Sequence, residues 1–363
     1  MARLCFLSAS PVPSTAANAV HTIRSCEAFA RAGWDVTLVC VAGDERLCPS
    51  SDWYDYYGVE PRFAIRRVAR PALPVAGQLL YTAGALWAAR ASCDVVYARD
   101  RLAAALLPRR TRLVYEAHQL PHGVRDRIER VMHARSDLVR VVAVSQALAR
   151  DYSAQYPAVA SRVLVAHCAA AGDLAPQPEP RGERLRVGYV GHLYDGKGAE
   201  LVMQLAQRCP EMDFVVVGGE AAHVSRLAAR APAAANLTLH GPLPPSAVPE
   251  ALASCNVLLA PYGARVCARD GSEIGRWMSP LKIAEYMAAG RAIVSSDLPP
   301  LRELLTDERD ALLVAPDALE RWVAALRRLL QPELRAALGA AARRGFEQRL
   351  TMRARAAAVL SGL

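Results

Sequence analysis

The sequence predicts two α/β domains, each a doubly wound parallel sheet, facing a common cleft. Three observations predict it. Short apolar strand-like runs alternate with helical patterns from residue 3 onward, the order of strand–helix–strand units in a parallel sheet. The alternation lapses once, over 168–184, where Pro, Ala and Gly without periodicity read as a linker, and then restarts. A length of 363 residues with 53% hydrophobic content is enough for two cores.

In order, the strands expected in the first domain (1–167) are RLCFLSAS from Arg3, WDVTLVCVA to residue 42, then 63–69, 94–99, 112–118, 138–145 and 162–167. A helix from Ala19 to Ala32, closed by Gly33, joins the first two. In the second domain (185–345) strands are expected at 185–191, 213–219, 236–241, in NVLLAPY, and at 292–297 and 311–315, with helices at 197–209 and near 246–254. A C-terminal helix over 346–363 is expected to pack back on the first domain. Two Rossmann-like domains are the economical architecture.

Charge and cysteine content exclude several classes. The net charge of +9 is uneven, with +7 in residues 1–167 and +2 in the remainder, so the first half suits an anionic partner such as a lipid headgroup or phosphorylated acceptor. No nucleic-acid motif accompanies it, and no nucleic-acid partner is expected. Nine scattered cysteines without a CxxC pair read as core residues in a reducing cytosol, and no signal peptide is evident. Pro71 to Ala89 carries no charge; its prolines, glycines and flanking arginines favour a core helix, with a membrane-surface helix next and a membrane span last.

The stretch SPLKIAEYMAAG (279–290) is the focus of the second domain. Ser279 is placed to cap a helix, Pro280 to occupy its first position and Gly290 to end it. Lys282 and Glu285, three apart, share a face near the positive end, while Ile283 and Met287 turn to a core; spacing alone also fits a capped surface helix. Among 44 Lys plus Arg only Lys197 and Lys282 are lysine, which points to sites needing a compact ammonium. Lys197 lies in GHLYDGKG (191–198), a glycine-bearing loop between strand and helix that suits a diphosphate, although Gly198 replaces the Ser/Thr that would bind magnesium. The first strand is followed by no GxGxxG; no Asp-x-Asp, metal-ligand cluster or GxSxG appears, so dehydrogenase, metal-dependent transferase and serine hydrolase chemistry lack support.

VGYVGHLYDGKG, NLTLHGPLPPSAVPEALASCNVLLAPY and SPLKIAEYMAAGRAIVSSDLPPLREL, in this order, resemble the C-terminal half of retaining glycosyltransferases of family 4, with the GT-B fold. ARAGWDVTLV, the strand ending EAHQ and VAVSQALA are similar to the N-terminal half. The resemblance implies that Glu285 holds the ribose of a sugar nucleotide, that Lys197 contacts the diphosphate, and that Gly191, His192, Gly241, Pro242, Ser279, Pro280, Leu281 and Lys282 complete the donor site. It implies that His118 faces the donor sugar, and that His118, Lys197 and Lys282 are the catalytic set. His192 stands where an arginine is usual, and Trp277 where the first glutamate of the paired motif would be; Asp270 or Glu273 in the preceding loop is then the candidate to reach the sugar. Ser14, Thr15 and Asn18 replace the family's N-terminal glycine pair as an acceptor or phosphate loop. Ser145 reads as a helix cap.

The implied reaction is metal-independent hexosyl transfer from a nucleoside-diphosphate sugar to an acceptor hydroxyl with retention, in bacterial glycan, glycolipid or glycoconjugate biosynthesis. No cofactor is expected beyond that co-substrate. The acceptor class is a glycan, a lipid-linked molecule or a small molecule, and the expected location is cytoplasmic with peripheral contact to the anionic inner face of the membrane. Two other readings stand beside it: a sugar-nucleotide epimerase on the same fold, and an inactive nucleotide-sugar-binding subunit.

Overall fold

The computed structural model describes all residues except 90–92, 110, 173–176, 231–234, 268–270 and 272. The chain forms two compact units, Met1–His167 with Met352–Leu363, and Cys168–Thr351.

The first unit runs β1 (Arg3–Val12), α1 (Ala17–Arg31), β2 (Asp35–Ala42), α2 (Trp53–Tyr57), β3 (Ala64–Val68), α3 (Pro74–Ala88) and β4 (Val95–Ala98). It continues with α4 (Arg101–Leu106), β5 (Arg112–Ala117), α5 (Val124–His133), β6 (Leu138–Ala143), α6 (Gln146–Gln155) and β7 (Val163–Val165). Its seven strands are parallel in the order β3-β2-β1-β4-β5-β6-β7. The direction of winding reverses between β1 and β4, so the strand ends there open a crevice. Phe6, Phe29 and Tyr97 pack beneath it, with Phe6 and Tyr97 ring centroids 4.7 Å apart. Ser145 caps α6 by accepting from the Leu148 N–H at 3.1 Å.

The second unit runs β8 (Arg186–Val190), α7 (Ala199–Arg208), β9 (Asp213–Val217), α8 (Ala221–Arg230), β10 (Leu237–His240), α9 (Val248–Ala253) and β11 (Val257–Ala260). Then come α10 (Leu281–Ala289), β12 (Ala292–Ser296), α11 (Pro299–Arg302), β13 (Leu312–Val314), α12 (Leu319–Arg328) and α13 (Pro332–Arg349). Six parallel strands lie in the order β10-β9-β8-β11-β12-β13, reversing between β8 and β11. Trp322, Phe214 and Tyr189 are fully buried in its core. After α13 the last helix, α14 (Met352–Leu360), rejoins the first unit and packs on α1. Part of the segment read as a linker is fastened to the second unit. The Arg291 guanidinium donates to the Gln177 and Pro178 carbonyls, and Arg335 pairs with Glu179 at 2.7 Å.

One expectation is overturned here. The 71–89 stretch forms α3 but not a core helix: Tyr81 and Ala85 are buried while Leu79, Leu80 and Trp87, the last 72% exposed, point outward. The helix lies against β2, β3 and α4, so only one side is covered. A Cβ at Gly84 would fall 2.6 Å from Val68 Cγ1, so glycine lets the helix seat on β3. A sequence that is apolar all round carries no sign of which side the sheet will cover. No helix among the described residues is long and apolar enough to cross a membrane. The nine cysteines are free, and seven are buried.

Candidate active site

In the second unit the chemistry gathers where β8 and β11 part. The loop leaving β8 (191–198) lies directly on the chain leaving β11. A Cβ at Gly198 (φ +89°) would meet the Pro261 carbonyl oxygen at 1.7 Å, and one at Gly196 (φ +75°) the Arg265 oxygen at 1.9 Å. These glycines are therefore demanded by the close approach of two backbones, a reason the motif reading did not supply. The loop delivers Lys197 just before α7, which starts at Ala199.

Helix α10 brings the second lysine. Seven of its nine residues are buried, Ile283 and Met287 completely, which rules out a surface helix. The Tyr286 hydroxyl accepts from the Val190 N–H at 2.9 Å and lies 3.2 Å from the Leu259 carbonyl, pinning α10 to the ends of both switch strands. Gly290 ends the helix in the left-handed region at φ +65°. The start differs from expectation. Pro280, not Ser279, is the cap and makes no side-chain cap bond, and the first helical residue is Leu281. The Ser279 hydroxyl is taken instead by the Cys168 N–H at 2.9 Å, a donor 111 residues away that no local pattern reveals.

Both lysines converge on one tyrosine ring. Lys282 Nζ lies 5.2 Å and Lys197 Nζ 5.4 Å from the Tyr262 ring centroid, and Lys282 Nζ also sits 3.7 Å over Tyr189. Lys282 is 9% exposed and its Nζ has no hydrogen-bond partner among the described residues. Burial lowers Lys197 to about 8, and burial aided by the charge of Lys197 pushes Lys282 well below the ordinary lysine range, against the pull of Glu285. Neither ammonium has an ion-pair partner among the described residues, so the site is short of negative charge. A Cβ at Gly191 would come within 2.7 Å of Lys282 Cε, so this glycine makes the room the lysine occupies. Tyr189 and Tyr262 were passed over in the sequence, although each stands at the end of a switch strand.

The remaining predicted residues of this unit fall around that centre. Glu285 is one turn along α10 from Lys282, partly buried. His192 stacks on Tyr194 (5.0 Å, 9° between planes), and its carbonyl accepts from the Tyr189 hydroxyl at 2.6 Å. The Gly241 carbonyl accepts from Gly218, whose own Cβ position is closed by the Gly191 oxygen, so the ends of β8, β9 and β10 form one backbone layer. Gly241 and Pro242 are exposed on it. Trp277 lies in a short 3₁₀ turn beside Arg276. Glu273 pairs with Arg265 at 3.4 Å on the surface, and Asp270 lies outside the described residues. Among the described residues no group of His, Cys, Asp or Glu is arranged to hold a metal ion.

In the first unit the ends of β1, β4 and β5 carry the predicted loop and histidine. Ser14 is held by Tyr57, whose hydroxyl accepts from the Ser14 N–H at 2.8 Å and donates to its carbonyl at 2.9 Å. Thr15 is partly exposed beside it, and Asn18 is exposed in the first turn of α1. Arg99, following β4, joins this loop to His118: its guanidinium donates to the Asn18 carbonyl (3.0 Å) and the Thr22 hydroxyl (2.7 Å), and lies 2.8 Å from His118 Nε2.

The sequence comparisons divide as the fold does. Residues 19–171 match the family described as Glycosyltransferase Family 4, and residues 184–332 the family described as Glycosyl transferases group 1. Both halves of the chain are glycosyltransferase domains. Their fold is GT-B, the two parallel-sheet α/β domains found in similar solved structures. The Anabaena protein Alr3699/HepE in complex with UDP and glucose is 16% identical, with all of both chains covered and a TM-score of 0.75. Sucrose-phosphate synthase from Thermosynechococcus elongatus is 17% identical over 98% of this chain and 96% of its own, with a TM-score of 0.75. WaaG, a glycosyltransferase involved in lipopolysaccharide biosynthesis, is 14% identical over 99% of this chain and all of its own, with a TM-score of 0.68. No curated protein sequence matches the chain. In this glycosyltransferase the paired lysines belong to the group 1 domain and the histidine to the family 4 domain.

Proposed function

We propose that the protein moves a hexose from a nucleoside-diphosphate sugar to an acceptor hydroxyl with retention of configuration and without a metal ion. The observation that carries this reading is the convergence of the chain's only two lysines, desolvated and without an ion-pair partner among the described residues, on Tyr262. A buried ammonium without a partner is unfavourable, and a diphosphate between the two supplies the missing charge. The charge grows on the leaving diphosphate as the glycosidic bond breaks, so Lys197 and Lys282 favour the transition state over the bound donor. Glu285 takes the ribose hydroxyls, and His118 takes a hydroxyl of the transferred sugar. The leaving phosphate assists removal of the acceptor proton on the same face. No protein nucleophile and no cofactor are invoked.

A UDP-sugar is the first donor to try, because the Anabaena protein holds UDP and glucose. A thermal-shift screen over UDP-, GDP-, ADP- and TDP-sugars reads the base, since a ligand that binds only the native state raises its melting temperature. No shift with any nucleoside diphosphate overturns the reading.

The acceptor is proposed to be lipid-linked, used at an anionic membrane surface, in glycan or glycolipid synthesis on the cytoplasmic side. Most exposed large apolar side chains among the described residues lie on the adjoining helices α3, α4 and α5, including Leu79, Leu80, Trp87, Leu106, Val124 and Val131. Arg125 and Arg127 are exposed on α5, and Arg70 and Arg109 are exposed in the chain next to α3 and α4. Leaving a leucine in water forgoes about 2 kcal/mol of burial, and a basic rim fits anionic headgroups. Equal flotation with anionic and neutral vesicles counts against this surface, as does a concentration-dependent dimer that buries it.

A further inference from the structure

The transfer chemistry leaves unused the most buried carboxylate near its histidine. Glu116 stands two residues before His118 at the end of β5 and is 1% exposed. Its Oε2 accepts from Arg355 Nη2 at 2.7 Å and, closely, from the Tyr97 hydroxyl. Its Oε1 lies 3.2 Å from Arg99 Nε and 2.6 Å from His118 Nε2. Burial alone would raise this carboxyl, but Arg355, Arg99 and the His118 contact outweigh it and hold it well below the usual range. The group is an anion.

An ionised carboxylate can only accept, so a nitrogen 2.6 Å away carries a hydrogen. Burial, with Arg99 adding to it and Glu116 opposing, keeps the His118 ring neutral. Neutral imidazole has a single N–H, so Nδ1 keeps its lone pair. Arg99 Nη2, 2.8 Å from the same Nε2, is the competitor. Were Nε2 to accept from it, a carboxylate oxygen would face a lone pair at 2.6 Å, whereas Arg99 is already held through its other nitrogens, Nη1 by Asn18 and Thr22 and Nε by Glu116. His21, buried on α1 with both ring nitrogens unpartnered among the described residues, is likewise kept neutral, by burial first and then by Arg355, and adds no charge. With Nε2 turned to Glu116, Nδ1 is the ring nitrogen left for a ligand, and the His118 side chain is 36% exposed.

We propose that Glu116, clamped by Arg99 and Arg355, is a positioning residue that fixes His118 as the Nε2–H tautomer and so makes Nδ1 a hydrogen-bond acceptor for a sugar hydroxyl. The sugar rests on the function proposed above; the tautomer does not. The test is therefore read on the ligand-free protein. Two-bond ¹H–¹⁵N correlation of protein labelled at histidine nitrogen, with the His118 signals assigned by their loss in His118→Asn, should show protonated Nε2 and unprotonated Nδ1. In Glu116→Gln the amide oxygen turns to Arg355 and Tyr97 and its NH₂ group to the ring, so the balance should move at least about tenfold toward Nδ1–H, the worth of one hydrogen bond. An Nδ1–H ring in the native protein, or an Nε2–H ring retained in folded Glu116→Gln, overturns the proposal. If that variant does not fold, the native spectrum still decides. Arg99→Lys, which keeps the charge and removes the competing nitrogen, should retain Nε2–H.

Discussion

The two halves of the molecule handle buried charge in opposite ways. In the family 4 domain Glu116 sits between Arg99 and Arg355, with fixed guanidinium forks meeting a fixed carboxylate, and the cluster is complete without a ligand. In the group 1 domain two lysines share a tyrosine ring and have no ion-pair partner among the described residues. The first arrangement holds a side chain in place. On the function proposed above the second receives the donor diphosphate, and the chain, which writes nearly every cation as arginine, has lysine at both of these positions.

The comparison breaks most readily at the satisfied cluster. Glu116→Ala leaves two arginines and a histidine without their carboxylate and should lower stability by about 3–5 kcal/mol, measured by urea unfolding. Lys282→Met should do the reverse: removing a buried amine that has no hydrogen bond among the described residues raises the stability of the ligand-free protein by about 1–3 kcal/mol, while affinity for UDP falls about tenfold to a hundredfold. Loss of both stability and affinity would mean that Lys282 has a structural partner. Lys197→Ala should weaken UDP by a similar factor, read by calorimetry.

The pH response sharpens the same contrast. Lys197 is lowered to about 8 in the folded chain, and an unfolded lysine titrates near 10.4. Between these values the unfolded state binds more protons, so this group's contribution makes the free protein more stable as pH rises from about 8 toward 10. UDP affinity should fall over the same range as the ammonium is lost. A melting curve with no such rise, or one unchanged in Lys197→Met, would show that the lysine is not desolvated. The smallest effect is expected at the outer face of α3, where Trp87→Ser should alter stability by no more than about 0.5 kcal/mol yet reduce binding to anionic vesicles.

Much of this was legible in the sequence, for identifiable reasons. Strands buried on both faces are apolar runs, so the sheet elements could be placed, and Gly290 marked the end of α10 because only the left-handed region closes a helix so tightly. The rarity of lysine singled out Lys197 and Lys282. Glu116 could have been found too, since residues two apart on a strand point to the same side and EAH puts it beside His118. Other features had no local sign. Ser279 has a capping side chain but stands one residue before the cap, where a distant N–H takes it; the covered side of α3 depends on a sheet the helix does not encode. Arg355 is 239 residues from the carboxylate it neutralises.

That separation gives α14 a consequence for synthesis and for dissection of the chain. Residues 1–167 emerging from a ribosome contain Glu116 and Arg99 but wait for almost the whole second unit before Arg355 arrives. Until then one oxygen of a buried carboxylate lacks its guanidinium and α1 lacks the helix that covers it. The first unit should thus gain its full cohesion after the second is already made, and a fragment cut at residue 167 should be loose unless α14 is joined to it by a short tether.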